Sequence, residues 1–256
     1  DLSLIAEMLR SGEMPLARLY CMVLQADAWG EVDRFRQMLP LFGAKVDTAG
    51  PDEVLLNVRA DEILKARHRD YGPIPLGFYT AVLRNTGLKP VFMGQLGDDS
   101  YSTLLRQTFP DARFIPSQGV LQDFDAMRRA KHLALSVSTF SWVAAWLSNA
   151  ESLHLPVLGM FNPAQRPDIA LLPRGDARYH YYGFAPRRWT ASAEQFAQLQ
   201  DLTPAPVLTP SAVEDLRIGA DLARAPARAA DAARLHAAVR RTKPFLGVFN
   251  GLYRKP

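Results

Sequence analysis

Polar side chains that suit an anion stand at three places where an apolar segment ends. The first is NVRADE at residues 57–62, the second GQLGDD at residues 94–99, and the third SVSTFS at residues 136–141. A guanidinium fork matches phosphate oxygens, and hydroxyl and backbone N–H groups at the start of a helix favour negative charge. The candidate phosphate- or nucleotide-binding residues are Asn57, Arg59, Gln95, Asp98, Ser136, Ser138, Thr139, Phe140 and Ser141.

The third segment also has a plainer interpretation. Ser138 or Thr139 could simply cap the helix that follows, because a short hydroxyl side chain accepts a hydrogen bond from the first free N–H groups of a helix. The residues alone leave anion binding and capping both open.

The elements that would position these side chains alternate between strand and helix. Short, nearly all-apolar strands are typical of a sheet covered on both faces, and strand–helix alternation predicts right-handed crossovers in a mainly parallel sheet. In such sheets ligands bind beyond the carboxyl ends of the strands. The predicted strands are VLLNV, PVFMGQ, ARFIP, LALSVS and LPVLGMF, and the helices LGFYTAVLRNTG, DSYSTLLRQTF, LQDFDAMRRAK and FSWVAAWLSNA.

The flanking segments divide the chain into a partial N-terminal region at 1–50, an α/β domain at 51–200 and a linker with a helical tail at 201–256. Two helices are predicted within the first 37 residues, with PLARLYCMVLQAD between them ambiguous. Residues 162–189, rich in Pro, Arg and Tyr, predict long loops, and ASAEQFAQLQDL a helix. TPAPVLTP predicts a linker, and residues 213–241 a helical stretch interrupted near Pro226.

Composition narrows the class of protein. The 256 residues carry a formal charge of +4, with arginine far more frequent than lysine, which favours anionic ligands. No zinc-finger spacing, helix-turn-helix or aromatic-plus-basic RNA pattern is visible, so nucleic acid is not a predicted partner. Cys21 is the only cysteine, which excludes an internal disulfide and a cysteine-based zinc site and fits a cytoplasmic location. No apolar run reaches the length of a membrane span.

Acid–base and metal chemistry have candidates of their own. His68 and Asp70 follow the Arg59 segment and could accept a proton, as could Glu62, although an ordinary surface loop explains the first two equally well. DFD, ending at Asp125, has the spacing of a metal motif. It lies at a predicted helix start, where acidic residues are favoured by the helix dipole, so no metal site is predicted.

The remaining aromatic and basic residues have mainly structural interpretations. Trp142 and Trp146 lie four apart on one helix face, which favours core packing over sugar stacking. The Arg-rich tail could rest on anionic lipid, which would make the protein peripheral to a membrane, or could simply be solvated. The histidines without metal-ligand spacing are His132, His154, His180 and His236.

The ordered set NVRADEI, HRDYGPIPLGFY, GDDSY and SVSTFSWVAAWLS resembles the motifs of α-1,2-fucosyltransferases and their relatives in the fucosyltransferase superfamily. The resemblance covers roughly residues 54–161, and the last motif is the most specific. It implies that the predicted parallel sheet, with helices on both faces, is of the GT-B-type, Rossmann-like kind with a reduced N-terminal part, to which the helical C-terminal tail predicted above is added. Arg59 falls on the arginine that grips the donor pyrophosphate, and residues 138–141 fall on the segment bordering the nucleotide.

The resemblance further implies an inverting, metal-independent glycosyltransferase. Its donor would be a nucleotide-diphosphate sugar such as GDP-fucose, with no further cofactor. Its acceptor would be a glycan or lipid-linked glycan in bacterial surface polysaccharide synthesis. The chain departs from the pattern at Asn57, Ala60, Asp61 and Glu62, where the family has His, a second Arg, Gly and Asp. A nucleotide-binding module that needs a partner domain for catalysis is the first alternative, and a metal-dependent phosphatase or nucleotidase the second.

Overall fold

A computed structural model describes residues 2–13, 26, 30–43 and 45–253. Most of PLARLYCMVLQAD lies outside this range, as does Cys21. In the N-terminal region α1 spans Leu2–Arg10 and α2 spans Val32–Met38.

The central element is a six-stranded, all-parallel sheet. Its order is β3-β2-β1-β4-β5-β6, with helices in the connections on both sides of β1. This is the strand order of a Rossmann-like fold, and it confirms the predicted α/β class. The elements are β1 Glu53–Val58, α3 Leu76–Thr86, β2 Lys89–Gly94, α4 Ser100–Thr108, β3 Arg113–Pro116, α5 Val120–Arg129, β4 His132–Ala134, α6 Thr139–Leu147, β5 Ser152–Val157, β6 Tyr179–Gly183, α7 Ala193–Leu199 and α8 Pro210–Tyr253.

The core follows from strands that are covered on both faces. Val54, Leu55 and Leu56 are consecutive in β1, and none of them is exposed to solvent. Neighbouring side chains on a strand point to opposite faces, so both faces of β1 must be packed. Trp142 is also buried and lies 6.2 Å from Trp146 between ring centroids, which confirms that these tryptophans pack in the core.

Local signals in the sequence set the helix ends. Asp99 caps α4 by accepting a hydrogen bond from the Ser102 N–H at 2.8 Å. At the end of α3, Gly87 has a φ of 67°, a left-handed conformation that glycine adopts without strain, and its N–H bonds to the Leu83 carbonyl.

Three predictions for the C-terminal third are wrong. Residues 179–183, predicted as loop, form strand β6. The predicted linker TPAPVLTP packs on the sheet, since Gly183 donates to the Pro206 carbonyl and Leu208 donates to the Tyr181 carbonyl. Helix α8 runs through Pro226 without a break. The proline ring lacks an N–H, so the carbonyl of Leu222, four residues earlier, does not receive its usual helical hydrogen bond.

A hydrogen-bonded row of side chains crosses strands β4, β5 and β6. His132 Nδ1 lies 2.8 Å from Ser152 Oγ, which lies 3.1 Å from His154 Nε2. His154 Nδ1 in turn lies 3.0 Å from the Tyr182 hydroxyl. His154 is 2% exposed, and burial lowers its pKa to about 3. These histidines therefore have structural roles, as predicted.

Candidate functional site

The candidate site is a cleft at the carboxyl ends of the central strands. From β1 the chain crosses to β2 on one side, and from β4 it crosses to β5 on the other, so β1 and β4 flank the switch point at which Rossmann-like folds bind ligands. The cleft encloses about 850 Å³, part of it open to solvent. It is lined by Asn57, Val58, Arg59, Glu62, Gly94, Gln95, Ser117, Val120, Asp123, Ser136, Ser138, Thr139 and Phe140.

The floor of the cleft joins the ends of β1, β2 and β4. Ser136 donates to Asn57 Oδ1 at 2.6 Å, and Asn57 Nδ2 donates to the Met93 carbonyl at 3.3 Å. Gly94 has a φ of 126°, and a Cβ at this position would lie 2.4 Å from the Val58 carbonyl oxygen. Only glycine fits here, because any side chain would push β1 and β2 apart.

Arg59 lies on one wall and is bonded to Glu62. Its Nε and Nη2 atoms donate to Glu62 Oε1 at 3.1 Å and 2.6 Å, and its guanidinium lies 5.5 Å from the centroid of the Tyr71 ring. Nη1 makes no hydrogen bond within the described part of the chain. Both side chains of the ion pair remain 30% exposed, so solvent and ligands can reach them.

Glu62 is held from two sides. Gln95 Nε2 donates to Glu62 Oε2 at 3.3 Å, while Gln95 Oε1 accepts from the Ala60 N–H at 2.8 Å. Burial would raise the pKa of Glu62, but the hydrogen bonds and charge of Arg59, with smaller help from the Glu62 N–H and Gln95, hold it below its ordinary value. The carboxylate is therefore ionised and weakly basic while it is bonded to Arg59.

The start of α6 forms the opposite wall. Ser138 is the N-cap, and its hydroxyl accepts from the Phe140 N–H at 3.1 Å, so the capping interpretation of Ser138 is correct. Thr139 and Phe140 are more exposed and line the cleft. Ser141 does not, because its buried hydroxyl donates to the carbonyls of Ser136 and Ser138 at 3.0 Å and 3.1 Å.

The start of α5 adds a fixed negative charge. Asp123 accepts from the Ser117 hydroxyl at 2.5 Å and from the Gln118 N–H at 2.8 Å, as expected of an acid at a helix start. Asp125 is fully buried and 3.9 Å from Arg129. Among the residues that the structure describes, no group of three or more His, Cys, Asp or Glu side chains could hold a metal ion.

The charges of the cleft do not by themselves favour an anion. Arg59 is the positive lining residue, and Glu62 and Asp123 are the negative ones, so the lining carries one net negative charge. The features that suit an anion are the Arg59 guanidinium and the starts of α5 and α6, which carry the partial positive charge of a helix N-terminus. The fit of an anion in the cleft therefore depends on whether Glu62 stays bonded to Arg59.

The structure brings together most of the predicted site residues but leaves three outside the cleft. Asp98 is exposed, because the neighbouring Asp99 takes the capping position on α4. His68 is exposed and does not line the cleft. Its ring centroid lies 5.8 Å from that of Tyr71, and the Tyr71 ring in turn contacts Arg59. Ser141 is the third. Asp70 is also structural, since it bonds Arg166 and Gln165 at 3.0 Å and 2.9 Å.

Sequence reasoning missed Ser117, Val120 and Tyr71. Ser117 directly follows β3 and Val120 begins α5, so the strand-end rule that selected the other candidates also applies to them. Tyr71 had no such signal, because the turn that brings its ring to Arg59 is set by backbone bonds such as Tyr71 N–H to the His68 carbonyl.

No protein-family model, curated protein or solved structure matches the chain. The fold and the cleft thus define the protein as a Rossmann-like α/β protein with a candidate ligand site at its switch point.

Proposed function

We propose that the cleft binds a nucleotide-diphosphate sugar and that the protein is an inverting glycosyltransferase that needs no metal ion. One observation carries the proposal: Arg59, at the end of β1, shares a switch-point cleft with the start of α6. A guanidinium and helix-start N–H groups facing the same space suit a pyrophosphate without a bridging cation. The resemblance of this stretch of sequence to the fucosyltransferase superfamily supports the same ligand.

The cleft offers residues for each part of the reaction. The acceptor hydroxyl attacks C1 of the sugar, its proton passes to a base, and the C1–O bond breaks with its electron pair going to the pyrophosphate. Arg59 stabilises the charge that builds on the leaving group, more strongly in the transition state than in the ground state. Glu62 lines the cleft and His68 does not, so the geometry favours Glu62 as the base.

The biological setting is proposed from the sequence. A fucosyltransferase-like enzyme would act in the cytoplasm of a bacterium, on a glycan or lipid-linked glycan destined for the cell surface. Within the part of the chain that the structure describes, no helix combines the length and apolar character of a membrane span. Contact with a membrane surface would instead use the arginines of α8.

A nucleotide-binding module is the second candidate. The described residues contain one six-stranded sheet, whereas a GT-B enzyme closes a second domain over its donor site. The cleft is open to solvent, which leaves room for such a partner domain. A module of this kind would bind the nucleotide but would not transfer sugar alone.

The experiment replaces Arg59 and measures sugar transfer and nucleotide binding. Arg59→Ala should slow transfer by about a hundred- to a thousandfold, as loss of one preorganised contact to developing charge does. Arg59→Lys should also be strongly impaired because it loses the bidentate fork. Arg106→Lys is the control, since this arginine bonds the Gly97 carbonyl outside the cleft. Binding without transfer in the unchanged protein would favour the module, and a folded Arg59→Ala variant with full transfer would contradict the proposal.

A further inference from the structure

One of the two edges of the Arg59 guanidinium that could bind a phosphate is already bonded to Glu62. Two of the three guanidinium nitrogens donate to the same oxygen of Glu62, at 3.1 Å and 2.6 Å. A guanidinium has two edges that can bind two phosphate oxygens side by side, and Glu62 occupies the Nε–Nη2 edge while Nη1 of the other edge makes no hydrogen bond within the described part of the chain. An anion that binds the Nε–Nη2 edge must replace the Glu62 carboxylate, and an anion on the Nη1–Nη2 edge would lie close to that carboxylate.

The two carboxylates of the cleft differ in how firmly they are held. Asp123 is buried and bonded at 2.5 Å and 2.8 Å to groups beside its own helix. Glu62 is 30% exposed, and apart from Arg59 the neighbouring side chain that bonds it is Gln95, at 3.3 Å. Like charges in a confined site repel, so an arriving pyrophosphate favours movement of the less firmly held carboxylate.

From this arrangement we infer that Glu62 is an internal competitor for Arg59, which the donor pyrophosphate displaces, and that displacement makes Glu62 the proton-accepting group of the site. The inference rests on the proposed function, and it adds that donor binding controls when the base becomes available. Before the donor binds, the base is bonded to Arg59 and cannot take a proton from an acceptor. After the donor binds, Arg59 neutralises phosphate, and Glu62 is free beside Gln95.

The exchange links donor binding to protons. The displaced carboxylate loses its cation and gains an anionic neighbour, and both changes raise the pKa of Glu62 toward a value suited to a base. Binding therefore takes up protons and strengthens as the pH falls. The charged and titratable groups around Glu62 are Arg59 and its partner Tyr71, His68 against that ring, Asp123 across the cleft, and the exposed pair Asp61 and Lys65.

The test compares Glu62→Gln with Asp61→Asn by calorimetry. Both substitutions remove one negative charge, but Asp61 bonds Lys65 on the outside, 3.2 Å away. Its φ of 46° is one that asparagine tolerates. The probes are GDP-fucose and UDP-glucose, whose doubly esterified pyrophosphates do not titrate near pH 6. Each titration is done at about pH 5.5 in two buffers of different ionisation enthalpy, which separates proton uptake from binding heat.

We expect the unchanged protein and Asp61→Asn to bind one probe with proton uptake. Glu62→Gln should bind it at least threefold more tightly, the scale of a part-exposed ion pair, without that uptake and with strongly reduced transfer. If only Glu62→Gln bound a probe measurably, this result would also support the inference that Glu62 competes for Arg59. Equal or weaker binding by Glu62→Gln, or unchanged proton uptake, would overturn this inference and leave the proposed function intact. Absence of binding in both proteins would contradict the proposed function itself.

Discussion

At the scale of single residues, the site is defined by which polar atoms already have partners. Ser141 and Asp98 have the right residue types and strand-end positions, yet one is turned into the protein and the other into solvent. Sequence patterns locate a residue on an element, but the hydrogen bonds around a loop decide where the side chain points. Arg59 was predictable from its place after β1. Its bond to Glu62 depends on the turn at 60–63, where the Ile63 N–H donates to the Ala60 carbonyl.

His154 gives the residue-scale prediction. Its pKa is lowered from 6.5 to about 3, chiefly by burial. Between these pH values the unfolded chain binds a proton that the folded chain does not, so the free energy of unfolding falls as the pH falls. One such proton contributes a slope of about 1.4 kcal/mol per pH unit.

Urea unfolding of the unchanged protein and of His154→Gln at several pH values between 7 and 4 checks this. We expect the variant to be less stable at pH 7 but to lose stability less steeply on acidification. His180→Gln, which changes an exposed histidine stacked on His154, is the control and should keep the steep slope. Parallel curves for His154→Gln and the unchanged protein would contradict the account.

At the scale of elements, the residues of SVSTFS divide into those that stabilise the helix start and those that line the cleft. Ser138 caps α6 and Ser141 braces the turn before it, whereas Thr139 and Phe140 face the cleft. Position within the turn separates the roles. The Ser138 hydroxyl is bonded to a backbone N–H of α6, whereas the side chains of Thr139 and Phe140 face the cleft.

This division predicts opposite outcomes for two neighbouring substitutions on α6. Ser141→Ala removes buried hydrogen bonds and should lower the free energy of unfolding by about 1 kcal/mol while nucleotide affinity changes little. Thr139→Ala should weaken nucleotide binding severalfold with less than about 0.5 kcal/mol of stability lost. Chemical denaturation and calorimetry on the same preparations measure both. A loss of affinity in Ser141→Ala without a loss of stability would reverse the assignment.

The elements that the sequence failed to predict share a physical cause. Strand β6 has the sequence YHYYG and lacks the apolar run that marked the other strands. Its tyrosines can be buried because the Tyr181 hydroxyl donates to the Pro173 carbonyl at 2.9 Å and the Tyr182 hydroxyl bonds His154. The segment at 203–208 looks like a linker because it is rich in proline. Its position is fixed by distant partners, such as the Gly77 carbonyl that accepts from the Ala205 N–H at 3.0 Å. Local propensity carries no information about such bonds.

At the scale of the whole molecule, the alternation of strands and helices was enough to predict the parallel sheet, since a right-handed crossover restricts the arrangements it can take. The strand order then places the ends of β1, β2, β3 and β4 around one cleft. Sequence reasoning could not supply the charge balance of that cleft, because it depends on Glu62 and Asp123, which are distant in sequence, lining the same space.

Calorimetric titration of the whole chain with a nucleotide diphosphate in the presence of EDTA tests the central claim most directly. Arg59 and the helix-start N–H groups of the cleft should hold the pyrophosphate without a cation. We therefore predict that GDP or UDP binds with the same affinity with EDTA or with added Mg²⁺, and at least tenfold more weakly to Arg59→Ala, in line with the loss of charge-assisted hydrogen bonds. Binding that requires Mg²⁺ or Mn²⁺, or that is unchanged in Arg59→Ala, would contradict the account.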